Sequence, residues 1–182
     1  MIGNSSGAIV ALKLLSRHSD QIRTLISYEP PLSKLLPDFD DLWRQHEDIY
    51  ATYRANGMLP AFLKFADITH MPREMMAGFE QSFDRPYMFQ NCMYWFEREF
   101  MTYPKADFDV QKEFGPSKEK LVLVCGEEAP REAYQYRGNV KVGEVLGLEV
   151  AHFPGNHVGH ATHASQFAKK LVEVLKERGD ME

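Results

Sequence analysis

Leu121-Val122-Leu123-Val124-Cys125, closed by Gly126, constrains this chain more than any other stretch. An unbroken apolar run has no polar face, so as a strand it must be covered on both sides. Helices on both faces of a parallel sheet provide that cover, and the flanking sequence alternates accordingly. Residues 8–17 read as a helix carrying Ile9, Val10, Leu12, Leu14 and Leu15 on nearly every side, as packing against a sheet requires. Residues 22–28 read as a short buried strand, ended by Glu29-Pro30-Pro31. Downstream, residues 133–146 are expected to be helical. Residues 148–153 form a strand closed by Pro154-Gly155, and 167–176 an amphipathic final helix. The expected class is α/β, with parallel strands and flanking helices.

Between these two sheet portions the sequence lacks convincing strands. Residues 38–55 place Phe39, Leu42, Trp43, His46, Ile49, Tyr50 and Tyr53 at helical spacing, and Asn56-Gly57 ends the pattern. Residues 59–68 read as a second helix. A third, opened by Pro86 and stopped by Pro104, is densely aromatic: Tyr87, Phe89, Tyr94, Trp95, Phe96 and Phe100. Such rings fit a helical core or the lining of an apolar substrate pocket. The chain thus divides into core residues 1–31, a helical insertion or cap over 32–120, and core residues 121–182.

Composition narrows the functions. With 182 residues, 21 Lys+Arg against 26 Asp+Glu and a net charge of −5, the chain lacks the basic tract that binding a nucleic-acid backbone or an anionic membrane calls for. No apolar run approaches the roughly 20 residues of a membrane span, and residues 1–7 lack the features of a signal peptide. Cys92 and Cys125 lie far apart in dissimilar segments. They are expected to be reduced, buried thiols of a cytoplasmic protein. No cofactor is implied, because no glycine-rich dinucleotide or phosphate loop is present.

Chemistry is signalled at two places. Gly3-Asn4-Ser5-Ser6-Gly7 matches G-x-S-x-G, a turn in which small flanking residues let a strained serine stand clear between a strand and a helix. There the N–H of Ser6 and the helix dipole can stabilise an oxyanion. A serine hydroxyl needs a base, and four histidines crowd the C-terminus: His152, His157, His160 and His163. His157 is best placed, in a Pro154-Gly155-Asn156-His157-Val158-Gly159 loop after the last expected strand. The His157, His160, His163 spacing of three also admits a metal site, although zinc pairs on helices favour a spacing of four.

G-N-S-S-G before a helix, the apolar strand ending in Gly126, and F-P-G-N-H-V-G-H before a last helix resemble the α/β-hydrolase superfamily over essentially the whole chain. Glu29-Pro30-Pro31 and Asn91, Glu97 and Glu99 in the aromatic helix are similar to a bacterial group within it. The resemblance implies the C-terminal part of the fold, starting at the elbow, with a helical cap. It implies Ser5 as nucleophile and His157 as general base and then general acid, in the order the superfamily uses. The usual acid position after Gly126 is Ala129 here. Some members instead carry the acid at the end of the strand after the nucleophile helix, where Glu29 stands, so the resemblance implies Glu29 as the acid, with Glu128 or no acid as the alternatives. The strands that usually precede the elbow, and the second oxyanion donor carried on one of them, have no counterpart. The expectation is therefore either a portion of a longer hydrolase or a homodimer through the open sheet edge. The chemistry expected is acyl transfer on an ester, amide or similar bond of a small apolar substrate. The alternatives are an inert remnant acting by binding, or haloperoxidase or C–C cleavage chemistry on the same triad.

Overall fold

The protein, seen as a computed structural model, is described for residues 1–71 and 85–181. It divides into two units: Met1–Leu32 with Asp107–Glu182, and Ser33–Ala106. The helical unit is therefore shorter than the expected insertion over 32–120, and residues 107–120 pack with the sheet.

In the first unit β1 (Ile2–Asn4), β2 (Leu25–Tyr28), β3 (Leu121–Gly126) and β4 (Val150–Phe153) form one parallel sheet in the order β1-β2-β3-β4. Register aligns Asn4 with Tyr28, Tyr28 with Val124, and Gly126 with Phe153. The ends of β1, β2 and β4 thus reach one rim of the sheet together with that of β3. β2 is shorter than the expected 22–28, because Ser19–Gln21 forms a 3-10 turn and the Ile22 N–H bonds Ser19 O instead of a strand.

Alternation sorts the strand side chains by face. Ile26, Tyr28, Val124 and Phe153 pack with Phe167 of the last helix, backed by Leu171, Val174 and Leu175. Helix α1 (Ser6–Arg17) buries Ala8, Ile9, Ala11, Leu12 and Leu15 and packs on β1 and β2. The three- and four-residue spacing of that set is what makes the segment a helix with one covered stripe.

In the second unit α2 (Phe39–Asn56) and α3 (Met58–Thr69) meet at Gly57, whose φ of 89° only glycine adopts readily. Helix α4 (Met88–Tyr94) continues into a wider turn over Trp95–Glu99, with Phe100 N–H bonded five residues back to Trp95 O. Phe96 and Phe100 are buried with Ile49, Met58, Ala61, Phe62, Ala66 and Cys92. Tyr53 stacks on Phe96 at 4.3 Å and Phe62 on Trp95 at 5.6 Å. Phe96 and Phe100 are thus helical core, whereas Tyr87, Phe89 and Tyr94 are exposed.

The rest of the first unit completes the cover. Helix α5 (Val110–Phe114) is capped by Asp109, whose side chain accepts Lys112 N–H at 3.1 Å. Helix α6 (Tyr134–Leu146) lies on β3 and β4. A single turn, α7 (Gly159–Thr162), leads into α8 (Ala164–Glu177).

Candidate active site

Ser5 follows β1 directly and precedes α1, with φ 54° and ψ −130°. A non-glycine residue there costs about 1–3 kcal/mol, and such strain persists only where the surroundings over-determine it. They do so here. Ser5 N–H bonds Tyr28 O at 3.0 Å, extending the β1–β2 ladder, and Ala8 N–H bonds Ser5 O at 2.9 Å, starting the helix. A Cβ on Gly3 would lie 2.7 Å from Ala8 Cα and 2.8 Å from Gly7 O, so only glycine lets the helix fold back on the strand. Gly7 differs from that expectation, since a Cβ on it would meet nothing within 4 Å. Ser6 is the first residue of α1, so its N–H is among those without an acceptor inside the helix.

One strand over, Glu29 follows β2 with φ 44° and is fully buried. Its backbone N–H bonds Val124 O at 3.1 Å. One carboxylate oxygen accepts Gly126 N–H at 2.8 Å, and the other accepts from His157 Nδ1 at 2.7 Å. A buried carboxylate is tolerated only when partnered in this way. With Nδ1 donating, Nε2 of His157 is left as the proton acceptor.

The His157 loop is held from three strand ends. Glu127 N–H bonds Phe153 O at 2.8 Å and Glu128 N–H bonds Gly155 O at 3.0 Å. Asn4 Nδ2 donates to His157 O at 3.3 Å, and the Tyr28 hydroxyl donates to Asn156 O. Gly126 is required beneath the loop, because a Cβ there would lie 2.5 Å from Gly155 O. Burial and the neighbouring Glu29 charge push the Tyr28 phenol far above its ordinary range, so it remains a donor. Burial, then Glu29, does the same to the Cys125 thiol.

Of the two candidate acids, the structure brings Glu29 to His157 and not Glu128. Glu128 is exposed and faces His163 Nε2 at 3.7 Å, because its own backbone is engaged by Gly155 O and points the side chain outward. His152 Nε2 meets the Tyr136 hydroxyl at 3.0 Å. His160 lies edge-on to Tyr28 and Phe167, and burial, then the nearby His157, hold it below its ordinary value. Among the described residues no group of His, Cys, Asp or Glu side chains gathers as a metal site would require. Sequence reasoning missed Asn4, Tyr28 and the Gly126 N–H. Asn4 and Tyr28 adjoin residues it singled out, but their partners lie more than 100 positions away.

A parallel sheet with a serine elbow at one strand end, a buried carboxylate at the next and a histidine loop beyond the last defines the α/β-hydrolase fold. No family model matches the chain. A protein named "Uncharacterized hydrolase YraK" from Bacillus subtilis (strain 168) is 27% identical over 181 residues, covering 97% of this chain and 63% of that protein. The crystal structure of the enol-lactonase from Burkholderia xenovorans LB400 superposes with a TM-score of 0.58 at 16% identity, covering 96% of this chain and 64% of the enol-lactonase. The chain has the α/β-hydrolase fold, and its sequence is similar to that of a protein named a hydrolase. It spans a little under two thirds of the length of both of these relatives.

Proposed function

We infer that this chain carries the nucleophile, base and acid of a serine hydrolase acting on an ester, amide or similar bond of a small, largely apolar substrate. The observation that carries this inference is the buried Glu29 carboxylate bonded to His157 Nδ1 at 2.7 Å, one strand from the strained Ser5 turn. Ser5 Oγ attacks the acyl carbon while His157 Nε2 takes its proton. The oxyanion that forms is stabilised by the Ser6 N–H at the start of α1. His157 then protonates the leaving group, and the acyl-Ser5 ester remains. Water, deprotonated by His157, attacks that ester, and the returning proton restores Ser5. Glu29 holds the ring tautomer and stabilises the imidazolium that forms in each half.

The hydrolase name of one relative and the lactone chemistry in the name of the other support this reaction class. The density of aromatic side chains in the helical unit is of a kind that supports an apolar substrate. Two buried free thiols suit a cytoplasmic setting. Among the described residues no helix is long and apolar enough to cross a membrane.

Intact-mass spectrometry after exposure to a fluorophosphonate tests the assignment. One adduct per chain, lost in Ser5→Ala and in His157→Ala, is expected. A folded, monodisperse protein that takes up none sinks the hydrolase assignment for this chain. A second function, binding or dimerisation by a catalytically inert fold, is favoured by β1 itself. Among the described residues it is an edge strand of the sheet, and an edge strand can pair with a strand of a second copy. Light scattering behind size exclusion tests it, and a monomer at all concentrations excludes the dimer.

A further inference from the structure

The geometry points to Tyr28 as the residue that positions His157, with Asn4 as its weaker partner. This rests on the hydrolase assignment above, because the positioning matters only if His157 is the base. Tyr28 ends β2 immediately before Glu29 and is fully buried. Its ring lies nearly parallel to the His157 imidazole, with centroids 6.5 Å apart and 12° between planes. Phe167 meets the same ring edge-on at 5.4 Å from the far helix, which fixes the ring's orientation. The hydroxyl donates to the carbonyl of Asn156, the residue before His157. A Cβ on Gly159 would come within 3.1 Å of that hydroxyl, so the chain passes directly over it. Asn4 reaches the carbonyl of His157 itself at 3.3 Å.

The two tethers act on different peptide groups on either side of one Cα. Together they limit rotation of the backbone that carries the imidazole. Glu29 holds the ring only through Nδ1, and a single hydrogen bond leaves the ring free to pivot about it. The backbone tethers remove that freedom, so Nε2 stays aimed at one point. Tyr28 and Glu29 are consecutive, so the residue that orients the ring and the residue that orients its backbone are anchored together at the end of β2. Both tethers act on backbone carbonyls of the loop and reach His157 only through its main chain, so both are positioning residues. A triad member displaced by about 1 Å can cost on the order of 10²-fold in rate.

Three measurements on the full chain test this: the melting curve, ester hydrolysis with a p-nitrophenyl acetate probe, and the low-field proton NMR signal of the His157 Nδ1–H bonded to Glu29. In Tyr28→Phe, which keeps the ring and deletes the hydroxyl, the melt should stay cooperative. The kcat should fall about tenfold with KM unchanged, and the low-field signal should broaden or shift. Asn4→Ala should change the same two readouts in the same direction by less. Wild-type kcat with an undisturbed signal in Tyr28→Phe overturns the proposal, as does a rise in KM at constant kcat. If Tyr28→Phe does not fold, an undisturbed signal in Asn4→Ala overturns it instead. If the wild-type chain shows neither hydrolysis nor fluorophosphonate uptake, the hydrolase assignment fails by itself. The NMR signal in the variants still reports whether the tethers hold His157 to Glu29.

Discussion

Replacing Glu29 by glutamine probes the candidate site with little disturbance of the fold. In the native arrangement one oxygen accepts Gly126 N–H at 2.8 Å and the other His157 Nδ1 at 2.7 Å, in a side chain that is 0% exposed. Glutamine has nearly the same shape and keeps an acceptor for Gly126. Its NH₂ then faces Nδ1, which must become an acceptor, so the ring proton moves to Nε2. Nε2 can no longer take the Ser5 proton. A serine triad held in the wrong tautomer loses about 10⁴ in turnover, which is about 5.4 kcal/mol of barrier. Stability should change far less, because the Gly126 bond survives and a buried charge is removed. Glu29→Ala separates the two effects. It strands the Gly126 N–H at a cost of about 1–3 kcal/mol, a fall of very roughly 2–12 °C in melting temperature for a chain of this size. The assay is the pseudo-first-order rate of fluorophosphonate labelling by intact mass, run beside thermal melts. A folded Glu29→Gln variant labelled within threefold of wild type would refute the role given to Glu29.

Two further outcomes test the scaffold. His46 is fully buried, its Nδ1 bonded to Leu42 O at 2.8 Å, and burial holds it below its ordinary value. A lowered folded value means the unfolded chain binds the proton more readily. The His46 contribution is therefore complete above pH ~6.5 and is lost as pH falls through the folded value. Melting temperature should decline below that pH more steeply in the wild type than in His46→Gln, while His160, also held low, contributes equally to both. Equal slopes would count against the account of His46. At the elbow, Gly3→Ala places a Cβ 2.7 Å from Ala8 Cα, whereas Gly7→Ala meets nothing within 4 Å. The first should destabilise by about 1–3 kcal/mol or more. The second should be neutral or stabilise by up to about 1 kcal/mol, since alanine is the better helix former. Thermal melts that rank the two alike would contradict the packing described for the elbow.

Much of the architecture is legible locally because it is written in spacing. The run at 121–125 has no polar face, and it is a central strand. The apolar stripe of residues 8–17 is α1, and Asn56-Gly57 does end α2. Boundaries were less legible. The expected strand over 22–28 shortens to Leu25–Tyr28, because a 3-10 turn uses the Ile22 N–H before β1 can offer a partner. Residues 107–120 read as part of a helical insertion, yet their buried Phe108, Val110 and Phe114 pack in the sheet unit. Their periodicity is helical in either place, so spacing does not say which core they join.

By itself the sequence determined the serine turn, the histidine loop and the α/β class, since each depends on residue types within a few positions of one another. It also limited the acid to Glu29, Glu128 or none. Only the tertiary structure shows which of these carboxylates meets His157, because that depends on register: the sheet aligns the end of β2 with β3, so Glu29 points under the loop while Glu128 is exposed. The roles of Tyr28 and Asn4 came from the same source. A hydroxyl or an amide has no fixed partner along the chain, and the carbonyls these two hold lie 128 and 153 residues away. Such contacts exist only once parallel strands have been laid side by side and their ends brought to a single rim.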